Sequence, residues 1–156
     1  MRFFSLVFLL LATMVAPAAV NAPATYNNTV SGAQSAAAEE DGITINLTAT
    51  GDLPGKVRLT LMRNDANVTG GTLLVMVSPA NANASSRARG SLTGTVSSGT
   101  LSLASNGTLA SASNVQIAIN RGTGEFSGVT SGTATINVSA GGQNSSPLSG
   151  TLVFSF

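Results

Sequence analysis

Six carboxylates carry most of the acid–base chemistry open to this chain: Glu39, Glu40, Asp41, Asp52, Asp65 and Glu125. Hydrolysis of a glycoside by paired acids needs two of them facing one another ~5–9.5 Å apart. All but Glu125 fall in segments that read as loops. Glu125 lies on the strand face opposite Phe126, so it is expected to point to solvent and pair with Arg121 or another surface base. A carboxylate turned into a cavity would require Phe126 to face out. The chain has no histidine and no cysteine, which removes the usual general base, the thiol nucleophile and the disulfide. Neither a Ser-His-Asp nor a Cys-His site can be built. Asp65-Ala-Asn-Val-Thr-Gly70 matches the first half of a calcium loop, but Met76 stands where the bidentate acid belongs. It reads as a hairpin turn, and Glu39-Glu-Asp41 as a solvated one. No metal and no cofactor are expected, and the balance leans away from catalysis.

The N-terminus carries an address. Arg2 precedes an apolar run from Phe3 to Val15, shorter than the ~20 residues that span a bilayer as a helix. Pro17 and small residues follow, as in a secretory signal peptide. Residues 1–24 are read as that signal, with cleavage after Ala24 preferred to Ala18, and residues 25–156 as one domain. The expected location is secreted or periplasmic, with no cysteine to take a lipid anchor. Seven Lys and Arg face six Asp and Glu, and losing Arg2 leaves a net charge of zero. A neutral chain of this kind is a poor partner for nucleic acid, whose phosphates must be neutralised, and for anionic membranes.

Alternation with period two dominates the rest. Ile43, Ile45, Leu47 and Ala49 share one parity, with Thr44, Asn46, Thr48 and Thr50 on the other. Val57, Leu59 and Leu61 repeat the pattern, as do Val115, Ile117 and Ile119, and Leu148, Leu152, Phe154 and Phe156. These are half-buried strands. Gly71 to Ser78, "GTLLVMVS", is apolar on both faces and reads as a central or doubly covered strand. Gly51-Asp-Leu-Pro-Gly55, Ser97-Ser-Gly99, Asn106-Gly107 and the stretch from Ala140 to Ser146 supply the turns. Ala33 to Glu40 is left as a short helix or a loop. About eight strands with such spacing give an all-β chain, an antiparallel eight-stranded β-barrel or, alternatively, a β-sandwich.

The stretch "RGTGEFSGVTSGTATI" places Gly122, Gly124, Phe126 and Gly128 on one parity, with Gly132 beyond. Positions without side chains let a strand bend or a neighbour approach, and Phe126 is expected to fill the space they leave. Gly-Thr pairs recur along the chain at spacings too irregular for a solenoid or an ice-binding Thr-x-Thr ladder. The closing run Leu148–Phe156 has the look of an outer-membrane insertion signal. The chain nevertheless lacks tryptophan and the aromatic girdles of such barrels, and a soluble closing strand with no stable membrane insertion is expected.

Gly122-Thr-Gly-Glu-Phe-Ser-Gly-Val-Thr-Ser-Gly-Thr133 resembles the glycine-rich strand pair of allene-oxide-cyclase-like and dirigent-like proteins. Gly51-Asp-Leu-Pro-Gly55 and Val68-Thr-Gly-Gly-Thr72 are similar to stretches of secreted bacterial relatives of that group. The resemblance implies an eight-stranded antiparallel barrel with an apolar cavity, in which the plant members cyclise or couple an apolar substrate. No residue here matches the carboxylates and aromatics that do so.

These observations lead to three expectations. The first is an exported barrel holding a small apolar ligand, lined by Leu59, Leu61, Val75, Ile117 and Phe154. The second is a cyclase or isomerase in which a shaped cavity positions a reactive intermediate. The third is a structural or adhesive surface protein with a neutral Thr/Asn-rich exterior. Oligomerisation is left open.

Overall fold

The structure is a computed structural model that describes residues 24–34, 42–79, 88–141 and 147–156. Eight strands run in chain order: β1 (Thr25–Gln34), β2 (Gly42–Gly51), β3 (Gly55–Asn64), β4 (Asn67–Val77), β5 (Gly90–Leu103), β6 (Leu109–Gly122), β7 (Gly132–Ala140) and β8 (Leu148–Ser155). Each pairs antiparallel with the next, and β8 returns to β1, from Thr25 opposite Ser155 to Gly32 opposite Leu148. The result is a closed up-and-down barrel, and the sandwich alternative is set aside. Among the described residues the one other regular element is a single 3₁₀ turn at Gly124–Phe126. The segment left as helix or loop ends β1 with Ala33 and Gln34; its remainder lies outside the described residues, as do residues 1–23.

The alternation seen in the sequence becomes inside against outside. Ile43, Ile45, Leu47 and Ala49 are buried, while Asn46, Thr48 and Thr50 are exposed. In a barrel of eight strands the inner faces meet across a lumen just wide enough for side chains to fill it. Here they are Val, Ile, Leu and Ala from every strand, with Phe154 the largest.

β5 and β6, like β4 between Val68 and Leu73, keep this up only by changing parity. In β5 the inward residues are Leu92, Gly94 and Val96, then Leu101. In β6 they are Leu109 and Ala112, then Val115, Ile117 and Ile119. Register shifts accompany both changes, between Val96 and Thr100 and between Ala112 and Val115. Asn114, with φ of 50°, supplies the left-handed residue such a bulge uses.

The structure corrects two expectations. Gly122–Gly132 is not a bent strand: β6 ends at Gly122, the 3₁₀ turn follows, and β7 begins at Gly132. Gly124 has φ of 61° and sits against the Arg89 backbone, so the chain leaves the sheet there rather than bending within it. The complementarity between glycine and Phe126 survives in another form. A Cβ on Gly122 would lie 1.9 Å from the Phe126 carbonyl oxygen. β4 is likewise not covered on both sides. Leu73, Val75 and Val77 point inward, but Leu74 and Met76 are 38% and 52% exposed on the outer wall. A single-layer barrel has one apolar side, and nothing in a run of aliphatic residues says which side a partner will cover.

Candidate functional site

The five residues expected to line a cavity all point into the barrel. Leu59, Leu61, Val75 and Phe154 are 0% exposed and Ile117 is 2% exposed. β3 brings Leu59 opposite Leu73 of β4, and Val75 of β4 faces Val57 of β3 and Leu92 of β5. Ile117 sits opposite Ala134 of β7, which in turn faces Phe154 of β8. The structure thus brings them into one continuous core, and side chains with no accessible surface have no water-sized space beside them. A ligand there would have to displace these side chains or part the strands.

One end of the barrel collects the four aromatic residues among the described ones. Tyr26 opens β1, Phe154 and Phe156 close β8, and Phe126 comes from the turn between β6 and β7. Tyr26 stacks on Phe156 with ring centroids 5.0 Å apart. Phe126 and Phe154 meet Phe156 edge-on at 6.4 and 6.2 Å, in the geometries the ring quadrupoles favour. Arg89 places its guanidinium 5.7 Å from the Phe126 ring centroid, and its Nε donates to Glu125 Oε2 at 2.7 Å. Glu125 therefore pairs with a surface base, Arg89 rather than Arg121. At 57% side-chain exposure it is a solvated half of a surface ion pair. Among the described residues no group of three or more Asp and Glu is placed to hold a metal. Asp65 forms the β3–β4 turn with φ of 53°, as the hairpin reading expects.

Sequence reasoning missed Asn28. It faces inward at 4% exposure and is the one buried polar side chain among the described residues. Its Oδ1 accepts from the Leu53 N–H at 2.8 Å, and its Nδ2 donates to the Leu152 carbonyl at 3.3 Å. Asn28 thereby ties the β2–β3 turn, whose Leu53 folds into the barrel end, to the seam where β1 meets β8. Its signal was parity, since it falls between Tyr26 and Val30 on the inward face of β1. Asn28→Ala strands both backbone groups and is expected to lower stability by about 1–3 kcal/mol, measurable by urea unfolding.

The register also builds features on the outer wall that linear spacing conceals. Thr44, Thr60, Thr72 and Thr95 stand side by side across β2, β3, β4 and β5, ~4.8 Å apart as neighbouring strands are. Thr50, Thr29 and Thr151 do the same across β2, β1 and β8, and the Thr29 and Thr50 hydroxyls are 2.7 Å apart. These threonines, with Asn27 and Val153, edge an open groove of about 290 Å³. No family model, curated protein or solved structure matches the chain. The resemblance to allene-oxide-cyclase-like and dirigent-like proteins therefore rests on the stretches at 51–55, 68–72 and 122–133 alone.

Proposed function

We propose that this chain is an exported barrel that works through its outer surface, as a structural or adhesive binding module, rather than as a carrier or cyclase with an internal chamber. The observation that carries this reading is the near-zero exposure of Leu59, Leu61, Val75, Ile117 and Phe154. The space where a ligand or substrate would sit is taken up by side chains. The exterior offers more, in rows of threonine and a wall of β3 and β4 that mixes cations with uncovered apolar residues. The apolar run from Phe3 to Val15 supports export. The inward-apolar, outward-polar alternation is the reverse of a barrel that sits in lipid. Edge-to-edge strand addition does not serve this function, because closure leaves no free edge.

Native followed by denaturing mass spectrometry of the protein isolated from its host tests the reading. The expected result is the mass of the chain alone under both conditions. Extra mass held in the native spectrum and released on denaturation would overturn it in favour of an internal apolar ligand, and the identity of that ligand would separate carrier from cyclase.

A further inference from the structure

We propose that the outer wall of β3 and β4 docks on the surface of an anionic phospholipid bilayer. The wall is built in rows by the register. Lys56 of β3 stands beside Met76 of β4, and Arg58 beside Leu74. The second row continues through Thr93 of β5 to Arg121 of β6. Met62, further along β3, is 55% exposed, and among the described residues it completes the set of large exposed apolar residues with Leu74 and Met76. Cation and apolar tip therefore alternate on one face, at the strand whose composition asks to be covered twice.

The strands of this wall carry charge of one sign, although the chain as a whole sets seven Lys and Arg against six Asp and Glu. Among the described residues no carboxylate occupies an outward position on β2 to β6. The single described ion pair is Arg89–Glu125, at the barrel end. Lys56 Nζ donates to the Thr48 hydroxyl at 3.0 Å, and no described carboxylate pairs with it. Asp52 lies in the β2–β3 turn and accepts from the Asn27 N–H at 2.8 Å. A wall of this kind attracts anions.

The shape and chemistry of the wall select a bilayer among anionic partners. A folded protein partner gains most from pockets that desolvate an anchor, and the outside of a barrel is convex. A second copy related by a two-fold axis would set Lys56 and Arg58 against their own counterparts. A fluid surface needs no shape match. Methionine and leucine tips enter the boundary between headgroup and acyl chain, while the longer Lys and Arg reach the phosphates. Methionine, flexible and polarizable, suits such an ill-defined environment. Neither a few apolar tips nor a few cations hold a protein at a bilayer alone, and the combination is what peripheral binding requires.

This inference rests on the outer-surface reading, and its test is separate from that of the reading. The folded chain is sedimented with phosphatidylcholine vesicles, with and without phosphatidylglycerol. It is expected to pellet only with the anionic vesicles, and less at raised salt. Lys56→Gln and Arg58→Gln are each expected to weaken partitioning roughly fivefold, from about 1 kcal/mol per cation near an anionic surface. The double variant Leu74→Ser, Met76→Ser is expected to lose at least as much, with an unfolding midpoint that shows the barrel intact. No pelleting of the folded chain with anionic vesicles would overturn the proposal, and so would pelleting that ignores both sets of substitutions. Binding that follows Lys56 and Arg58, ignores Leu74 and Met76, and is matched by soluble polyglutamate would point to an acidic protein instead. A bare chain in the native mass spectrum with no vesicle binding removes this face alone. A co-purifying internal ligand removes the outer-surface reading itself.

Discussion

Gly122→Ala is expected to destabilise the barrel by about 3 kcal/mol, at the upper end of what an over-packing substitution usually costs. The added Cβ would lie 1.9 Å from the Phe126 carbonyl oxygen and 2.8 Å from the Phe126 Cβ. The obstacle is backbone, so no rotamer change relieves it. The turn would have to move away from the end of β6, and that movement would break two bonds that hold it. The Gly122 N–H donates to the Val129 carbonyl at 2.9 Å, and the Val129 N–H donates to the Phe126 carbonyl at 2.8 Å. Gly128→Ala is the control from the same motif, since its Cβ would meet nothing within 4 Å. It is expected to leave stability within about 0.5 kcal/mol of the parent, as exposed substitutions do. Urea unfolding of the two variants under one set of conditions decides the matter. Equal midpoints would mean that the motif is not the packing device described above.

Phe154→Ala is expected to cost about 3–5 kcal/mol, the range for deleting a buried aromatic ring. That is a large share of the ~5–15 kcal/mol by which folded domains are stable. Phe154 is fully buried, faces Ala134 across β7 and Tyr26 across β1, and meets Phe156 edge-on. Its loss opens a cavity where the small side chain of Ala134 cannot compensate. The chain has a single tyrosine and no tryptophan. Tyr26, stacked on Phe156, therefore reports this end of the barrel through its own fluorescence while circular dichroism reports the whole sheet. Both signals are expected to move to lower denaturant together. A tyrosine transition that shifts alone would mean that the aromatic end unfolds apart from the rest of the barrel.

The strands that could be read from the sequence are those in which one parity is aliphatic and the other polar. β2, β3 and β8 fall within a residue or so of the expected runs, because Ile43–Ala49, Val57–Leu61 and Leu152–Phe154 each have only one face fit to be buried. β6 was caught only in its second half. The bulge around Asn114 shifts the parity, so Ala112 does not continue the pattern of Val115 to Ile119. The uncovered face of β4 could not be foreseen, since Leu73 to Val77 is apolar at every position. Only the register shows which alternate residues point out. Asn28 was hidden for a related reason, as its partners Leu53 and Leu152 are remote in sequence and join it only when the barrel closes.

The seam between β1 and β8 also governs the order of assembly. Seven of the eight strand pairings join neighbours in sequence, and the eighth joins the two ends of the sheet. At its margin Ala24 and Phe156 exchange backbone hydrogen bonds at 3.0 and 3.2 Å. Hairpins can form while the rest of the chain is still extended, but this last pairing must close a loop of nearly the whole domain. Until it does, the half-built sheet has two bare edges and an apolar face open to water, the condition in which sheets aggregate. The same contact between Ala24 and Phe156 makes the barrel a natural subject for circular permutation. Linking residues 24 and 156 and opening the chain at the Asn106–Gly107 turn would convert the slowest pairing into a local hairpin.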